Sequence, residues 1–458
     1  MTNARTPGLL ETGRPLWKAF VLFLGPMMLS NLLQALSGTI NNIYLGQMIG
    51  VSALAAVSAF FPLLFFFISF TIGLGSGASV LIGQAYGAEE HEKVKQVAGT
   101  TLTVAIAGGA LIAIFGGIFT RQLLAAIGTP ADILADATAY TRIMLIAMPG
   151  LFTFLLATAM MRGVGDTTTP LLALCLSTVV GLIVTPALIR GWAGLPQMGL
   201  LSGALAAIVS FISALIFLAV HMRHYIHPLA PDRELLRHMR VDWTILKSVL
   251  RIGVPTGIQM ILISLAEVVV LSLVNSYGSH ATAAYGAVNQ IVNYVQFPAV
   301  SIAITASIFS AQAIGAGRSN ELGNIARTGL LVNLAVTGGL ILLAYLFSRT
   351  IIGFFITDGP VLELAQTLLH VTLWSYILFG FAGVLAGIMR SSGTVLIPTI
   401  IAVSSILGVE VPVAYYLSAH MGIEGVWAAY PVAFSVMLGL QTVYYRYVWK
   451  NRSIKRLI

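Results

Sequence analysis

Residues 330–347 read LLVNLAVTGGLILLAYLF, a run with no charge and no alternation of apolar and polar positions. A helix needs about 20 apolar residues to cross a bilayer, whereas a membrane strand needs about 10 that alternate. The run suits the helix and not the strand. Residues 60–70, FFPLLFFFISF, read the same way, and similar runs recur along almost the whole chain. Twelve spans are expected. In the first half they lie near residues 17–44, 52–83, 94–119, 133–159, 169–190 and 197–221. In the second they lie near 248–275, 281–313, 323–348, 361–388, 396–418 and 423–447. Composition agrees: 58% of the 458 residues are apolar and 9% charged, against about 25% charged in a soluble domain. The expected fold is all-α, a polytopic membrane protein with 12 transmembrane helices.

The first apolar stretch is too long for the core of a removable signal peptide, so none is expected. The single cysteine, Cys175, lies inside a span and leaves no intrachain disulfide to form. Net charge is +8, and its distribution gives it a meaning. With the N-terminus inside, 20 of the 24 Lys and Arg fall on the inner side, and only Arg121, Arg142, Arg190 and Arg349 fall outside. This positive-inside asymmetry predicts a bacterial inner-membrane protein with both termini cytoplasmic. The basic balance thus orients the chain, and no nucleic-acid partner is expected.

The longest polar stretch, HMRHYIHPLAPDRELLRHMRVDWTILK at 221–247, divides the chain nearly in half. The two halves repeat at an offset of 228 residues. Ala55-Ala56 pairs with Ala283-Ala284, Gln84 with Gln312, and Gly87-Ala88 with Gly315-Ala316. Further on, Met161-Arg162 pairs with Met389-Arg390, Gly165 with Gly393, and Pro170 with Pro398. Each half has an even number of spans, so the halves are parallel repeats, as in transporters that rock two halves about a central site. The predicted organisation is a cytoplasmic tail (1–16), a six-helix lobe (17–221), a cytoplasmic linker (222–247), a second six-helix lobe (248–447) and a basic cytoplasmic tail (448–458).

Residues 73–83, GLGSGASVLIG, look superficially like a dinucleotide-binding loop. They follow no strand and lie within an apolar helix, where small residues let helices approach closely. They read as packing. No zinc-ligand spacing, phosphate-binding loop or nucleophile elbow occurs, so no cofactor and no enzymatic activity are expected. Transport energy would then come from an ion gradient or a partner.

Several motifs carry a family resemblance. They are GPMMLSNLLQALSGTINNIYLGQMIGVSALAAVSA (25–59), GSGASVLIGQAYGAEE (75–90) and MRGVGDTTTP (161–170). Their second-half echoes are ATAAYGAVNQI (281–291), SIFSAQAIGAGR (307–318) and MRSSGTVLIP (389–398). From about residue 15 to 450 the chain resembles the multidrug and toxic compound extrusion family. That resemblance implies two six-helix lobes around a central cavity. It also implies export of amphipathic, often cationic organic compounds in exchange for Na+ or H+. Relatives in the superfamily flip lipid-linked precursors, which leaves a flippase as the alternative; a membrane-embedded enzyme or scaffold is a third reading. The family's usual acids are missing. Asn41 stands where span 1 commonly carries an Asp, Gly181 and Thr185 where span 5 carries Asn and Asp, and Ile263 where one branch carries a Glu.

Only two acids remain well inside predicted spans. Glu267 lies one turn beyond Ile263, and Glu410 lies twelve residues after Pro398. An ionised carboxylate at such depth is costly unless paired or hydrated, so a functional reading comes first; a protonated interhelical bond is the bland alternative. Glu267, Glu410 and Asn41 are therefore the candidate ion-coupling residues, with H+ favoured over Na+. Gln34, Gln259, Asn289, Gln290 and Asn293 could line a substrate cavity, or simply bond between helices. Tyr285, Tyr294, Trp374 and Tyr376 could stack on flat cations, or simply pack. His370 reads as a neutral, satisfied imidazole, and Asp166 as a cap for span 5. The expected partners are small-molecule amphipathic or cationic substrates and the lipid bilayer, with the protein acting as a monomer.

Overall fold

The computed structural model describes residues 15–356 and 358–458, and those residues form helices and connecting turns with no strand. Among the described residues, eleven helices are long and apolar enough to cross a membrane, and a bent pair counted as one span makes twelve. In the first half these are α1 (Leu16–Met48), α2 (Ala55–Gly87), α3 (His91–Ala126), α4 (Leu134–Ile146 with Met148–Gly163), α5 (Thr168–Arg190) and α6 (Leu201–His224). The second half holds α7 (Trp243–Asn275), α8 (Ser279–Gly315), α9 (Ser319–Leu346), α10 (Gly359–Ser391), α11 (Leu396–Met421) and α12 (Ile423–Trp449). A helix pairs all its backbone groups within the segment, which is what a chain in hydrocarbon requires.

Where the helices break, a cause is visible. The two parts of α4 meet at 49°. Pro149 opens the second part; it lacks an N–H and its ring clashes with the carbonyl four residues back. In α11 a π-turn covers Ile406–Glu410, just before Pro412. π-turns inside helices are frequently found at functional sites.

By contact the chain forms two compact units. One comprises Leu29–Gly253, and the other Val254–Ile458 together with α1 up to Met28. In the second unit Phe20 and Phe23 of α1 lie 4.9 and 5.8 Å from the ring of Phe309 on α8, in a core that also holds Ile302, Ile325 and Ile388. In the first unit, the glycines of residues 73–83 act as the packing reading expects. A Cβ on Gly75 would stand 2.9 Å from the Ala159 side chain, and one on Gly77 only 2.4 Å from the Val249 carbonyl oxygen.

The polar stretch between α6 and α7 is a docked strap. It holds one short helix, Arg233–Arg237, capped by Asp232, which accepts the Leu235 N–H at 2.8 Å. Lys95 on α3 donates to both Asp232 and Glu234. Thr100, one turn and a half along α3, donates to the Arg240 carbonyl at 3.2 Å and accepts from the Asp242 N–H at 3.4 Å. Gly99 lets the strap close on the helix, since a Cβ there would stand 2.2 Å from the His238 carbonyl oxygen. At the other end, Asp166 accepts the N–H groups of Thr168 and Thr169 at 2.9 and 3.0 Å, the capping role read from its sequence. Its second oxygen lies 3.6 Å from His227 Nε2. The Leu229 N–H donates to His227 Nδ1 at 3.1 Å, which places the proton of a neutral imidazole on Nε2, facing Asp166.

Burial holds the His227 imidazole below its usual range, against the pull of Asp166 and with the help of His221. Burial pushes the Asp232 carboxyl up, but the Leu235 N–H and Lys95 outweigh it and hold it below the ordinary value. Both groups bind protons more readily when the strap is released. Acid therefore loosens it, first through His227 below about pH 6.5 and then through Asp232 below about pH 4. Lys95→Met should leave the fold intact and weaken docking by about 1 kcal/mol. That corresponds to roughly fivefold faster amide exchange over residues 228–242 at neutral pH. Unchanged protection would show that the two carboxylates do not hold the strap.

Candidate functional site

The second unit gathers polar groups from four helices. Glu267 comes from α7, Tyr285 and Asn289 from α8, Tyr376 from α10 and Glu410 from α11. Ala266, Val270 and Val274 turn the other side of α7 into the core, which leaves Glu267 exposed. Glu410, ending the π-turn, is 2% exposed. The two acids act on each other electrostatically, and both act on Tyr285 and Tyr376. Neither has an ion pair among the described residues, whose salt bridges all lie elsewhere. Glu267 and Glu410, the two acids singled out in the sequence, thus lie within each other's field.

An aromatic wall frames the acids. The hydroxyls of Tyr285 and Tyr430 lie 3.1 Å apart, and Tyr285 stacks on Trp427 at 5.8 Å with an interplanar angle of 11°. Tyr376 meets Phe434 edge-on at 5.2 Å. A crevice of about 10 Å³ opens between Tyr285, Asn289, Thr372, Tyr376 and Tyr430, space for about one water. Tyr376 takes its position from a break in α10, where Leu373–Ser375 form a 3-10 turn. The Tyr345 hydroxyl bridges that break, accepting the Trp374 N–H at 3.1 Å and donating to the His370 carbonyl at 3.0 Å. The His370 ring rests edge-on against Tyr345 at 4.9 Å.

Other candidates stand apart from this cluster. Gln290 and Tyr294 are exposed on faces of α8 turned away from Tyr285, Asn293 is exposed one turn beyond Asn289, and Trp374 is exposed beside its bridged backbone. Gln259 accepts a hydrogen bond from Thr399 at 3.3 Å, tying α7 to α11. In the first unit Gln34 is exposed, and Asn41 accepts from Thr185 at 3.4 Å. These two polar residues meet where the family resemblance places acids, and they carry no charge. Sequence reading overlooked Tyr430 and Trp427. The cue was their spacing with Phe434 along one face of α12. The repeat hid it, because offset 228 sets Ser202 opposite Tyr430 and Gly199 opposite Trp427.

A family model described as MatE matches residues 26–187 and again residues 255–416. The chain belongs to the MatE family, the multidrug and toxic compound extrusion transporters. The two matches start 229 residues apart and end 229 apart, so the duplication seen in the sequence is the family's unit, present twice. This MatE chain is 47% identical to the "Probable multidrug resistance protein YoeA" of Bacillus subtilis (strain 168), with 96% of each chain covered. It is 23% identical to the "Multidrug export protein MepA" of Staphylococcus aureus (strain MRSA252), over 90% of this chain and 89% of that one. Its fold is similar to the crystal structure of a mutant of the Vibrio cholerae MATE transporter VcmN, with a TM-score of 0.88 and 19% identity over 96% of this chain and 98% of that one. The protein is a multi-pass membrane transporter.

Proposed function

We propose that this MatE protein is an antiporter that exports amphipathic or cationic organic compounds in exchange for H+ by alternating access, with Glu267 the principal coupling acid and Glu410 its partner. The observation that carries this reading is the pair of intramembrane carboxyls with no basic partner among the described residues. Two such acids in an apolar setting need positive charge near them. A proton can supply it, and so can an organic cation, which is the condition for exchange. Tyr285, Tyr376, Tyr430 and Trp427 are buried here; a flat cation reaches their π-faces when alternating access opens the crevice beside them. A Na+ site needs several hard oxygen ligands with a carboxylate among them. Asn41 and Thr185 leave the first unit's span position without one, and in the second unit a proton, unlike Na+, needs no ligand beyond the carboxyl itself, which favours H+.

Substrate and proton then compete for the same acid. Adding tetraphenylphosphonium to the detergent-solubilised, weakly buffered protein should release protons, and the release should vanish in Glu267→Gln. Equal release from both proteins would remove Glu267 from the coupling. The charge distribution further supports cytoplasmic N- and C-termini, with 20 of 24 basic residues inside. A reporter fused after Ile458 is expected to read cytoplasmic; activity in the periplasm would reverse the orientation.

A further inference from the structure

The strap between α6 and α7 exposes more than its docking requires. Its three acids are committed internally. Asp232 and Glu234 hold Lys95, and Asp242 accepts the N–H groups of Thr244 and Ile245 at 2.9 and 3.2 Å to start α7. Arg233, Arg237, Arg240, Lys247 and Arg251 are left exposed, and none makes an ion pair among the described residues. Among these bases stand apolar side chains with nothing over them: Ile226 is 82% exposed, Trp243 76% and Leu236 56%. Trp243, Lys247 and Arg251 follow one another at four-residue spacing along one face of α7.

Ile226 is the telling residue. The His227 N–H bonds back to the Met222 carbonyl at 2.9 Å, closing α6 with a turn that sets Ile226 at φ +50°. Glycine ordinarily fills that left-handed position, and a β-branched residue there is strained. α5 ends on Gly191 in the same conformation. The chain thus accepts strain to hold an apolar side chain outward, just beyond the end of a membrane span.

We propose that this face of the strap docks on the anionic headgroups of the lipid leaflet on its own side of the membrane, with the bases meeting phosphates and Ile226, Leu236 and Trp243 entering the interface. Clustered bases next to a membrane span, with an aromatic among them, match a negatively charged bilayer surface. The strap is rigid enough to present them, being clamped to α3 through Lys95 and Thr100. The proposal is independent of which ion or substrate the transporter moves.

The test places a fluorophore on Thr244→Cys in a Cys175→Ser background, in full-length protein reconstituted with phosphatidylcholine and phosphatidylglycerol. Nitroxide-labelled phosphatidylglycerol should quench the probe more strongly than nitroxide-labelled phosphatidylcholine at equal mole fraction, and the preference should shrink in high salt. Arg233→Gln/Arg237→Gln/Arg240→Gln should lower the relative association constant by about tenfold. Ile226→Gly relieves the strained turn, so it should fold at least as stably while probe quenching by both lipids falls. Equal quenching by the two lipids in the parent, or an unchanged preference in the triple variant, overturns the proposal. So does quenching by neither lipid, which would leave the face to a soluble acidic partner.

Discussion

Glu267→Gln should abolish proton-coupled export while leaving the folded protein unchanged. Gln is close to a protonated Glu in shape and keeps a hydrogen-bonding head, but it cannot alternate between charged and neutral. Glu267 is the exposed member of the acid pair, so an arriving cation meets it first, whereas Glu410 is buried at the π-turn of α11. A cation held about 8 Å from a carboxylate at an effective dielectric of about 20 gains about 2 kcal/mol, so losing the charge should weaken cation binding by roughly thirtyfold. In the parent, binding of a permanently charged substrate should tighten as pH rises, because protons leave the acid to the cation. In Glu267→Gln that dependence should flatten. Glu410→Gln should do less, lowering the rate while retaining coupling. If Glu267→Gln exports as well as the parent, or if Glu410→Gln is the more severe change, the roles are assigned wrongly.

Gly77→Ala should strongly destabilise the packing of α2 in the first unit. The added Cβ would stand 2.4 Å from the Val249 oxygen and 3.2 Å from its Cα, all backbone atoms. No side chain can swing aside, so α2 and the start of α7 must move apart, at a cost of about 1–3 kcal/mol. Gly108→Ala on α3 is the control, with nothing within 4 Å of its added Cβ. An alanine there removes flexibility from a helix interior and should be neutral or stabilising by up to about 1 kcal/mol. Thermal unfolding in one detergent should show a clear fall for Gly77→Ala alone. Equal behaviour of the two variants would contradict the packing of α2 against α7.

The spans and the duplication were legible because each is a property of sequence alone. An apolar run of membrane length has few other uses, and a constant offset needs no structure to be seen. The break in α4 was missed, since span 4 was read as continuous although Pro149 marks the bend; Asp166 was read from its place before a helix start. The site was legible in kind and only partly in membership. A polar residue inside a span is conspicuous, which singled out Glu267, Glu410, Tyr285, Asn289 and Tyr376. Which of them share a face depends on the rotation of each helix. That rotation separates Tyr285 and Asn289 from Gln290 and Tyr294, although all lie within ten residues. Tyr430 was hidden as one aromatic among many apolar neighbours; only its 3.1 Å approach to Tyr285 marks it. The strap read simply as a cytoplasmic linker because its partners, Lys95, Gly99 and Thr100, lie more than a hundred residues away on α3.

Transport by the purified protein in liposomes tests the central claim most directly. With ethidium or tetraphenylphosphonium as substrate, a pH gradient imposed without Na+ should drive exchange in the parent and fail to do so in Glu267→Gln. A Na+ gradient at constant pH should drive neither. Export that follows Na+ alone, or a pH-driven exchange that survives Glu267→Gln, would contradict proton coupling through Glu267.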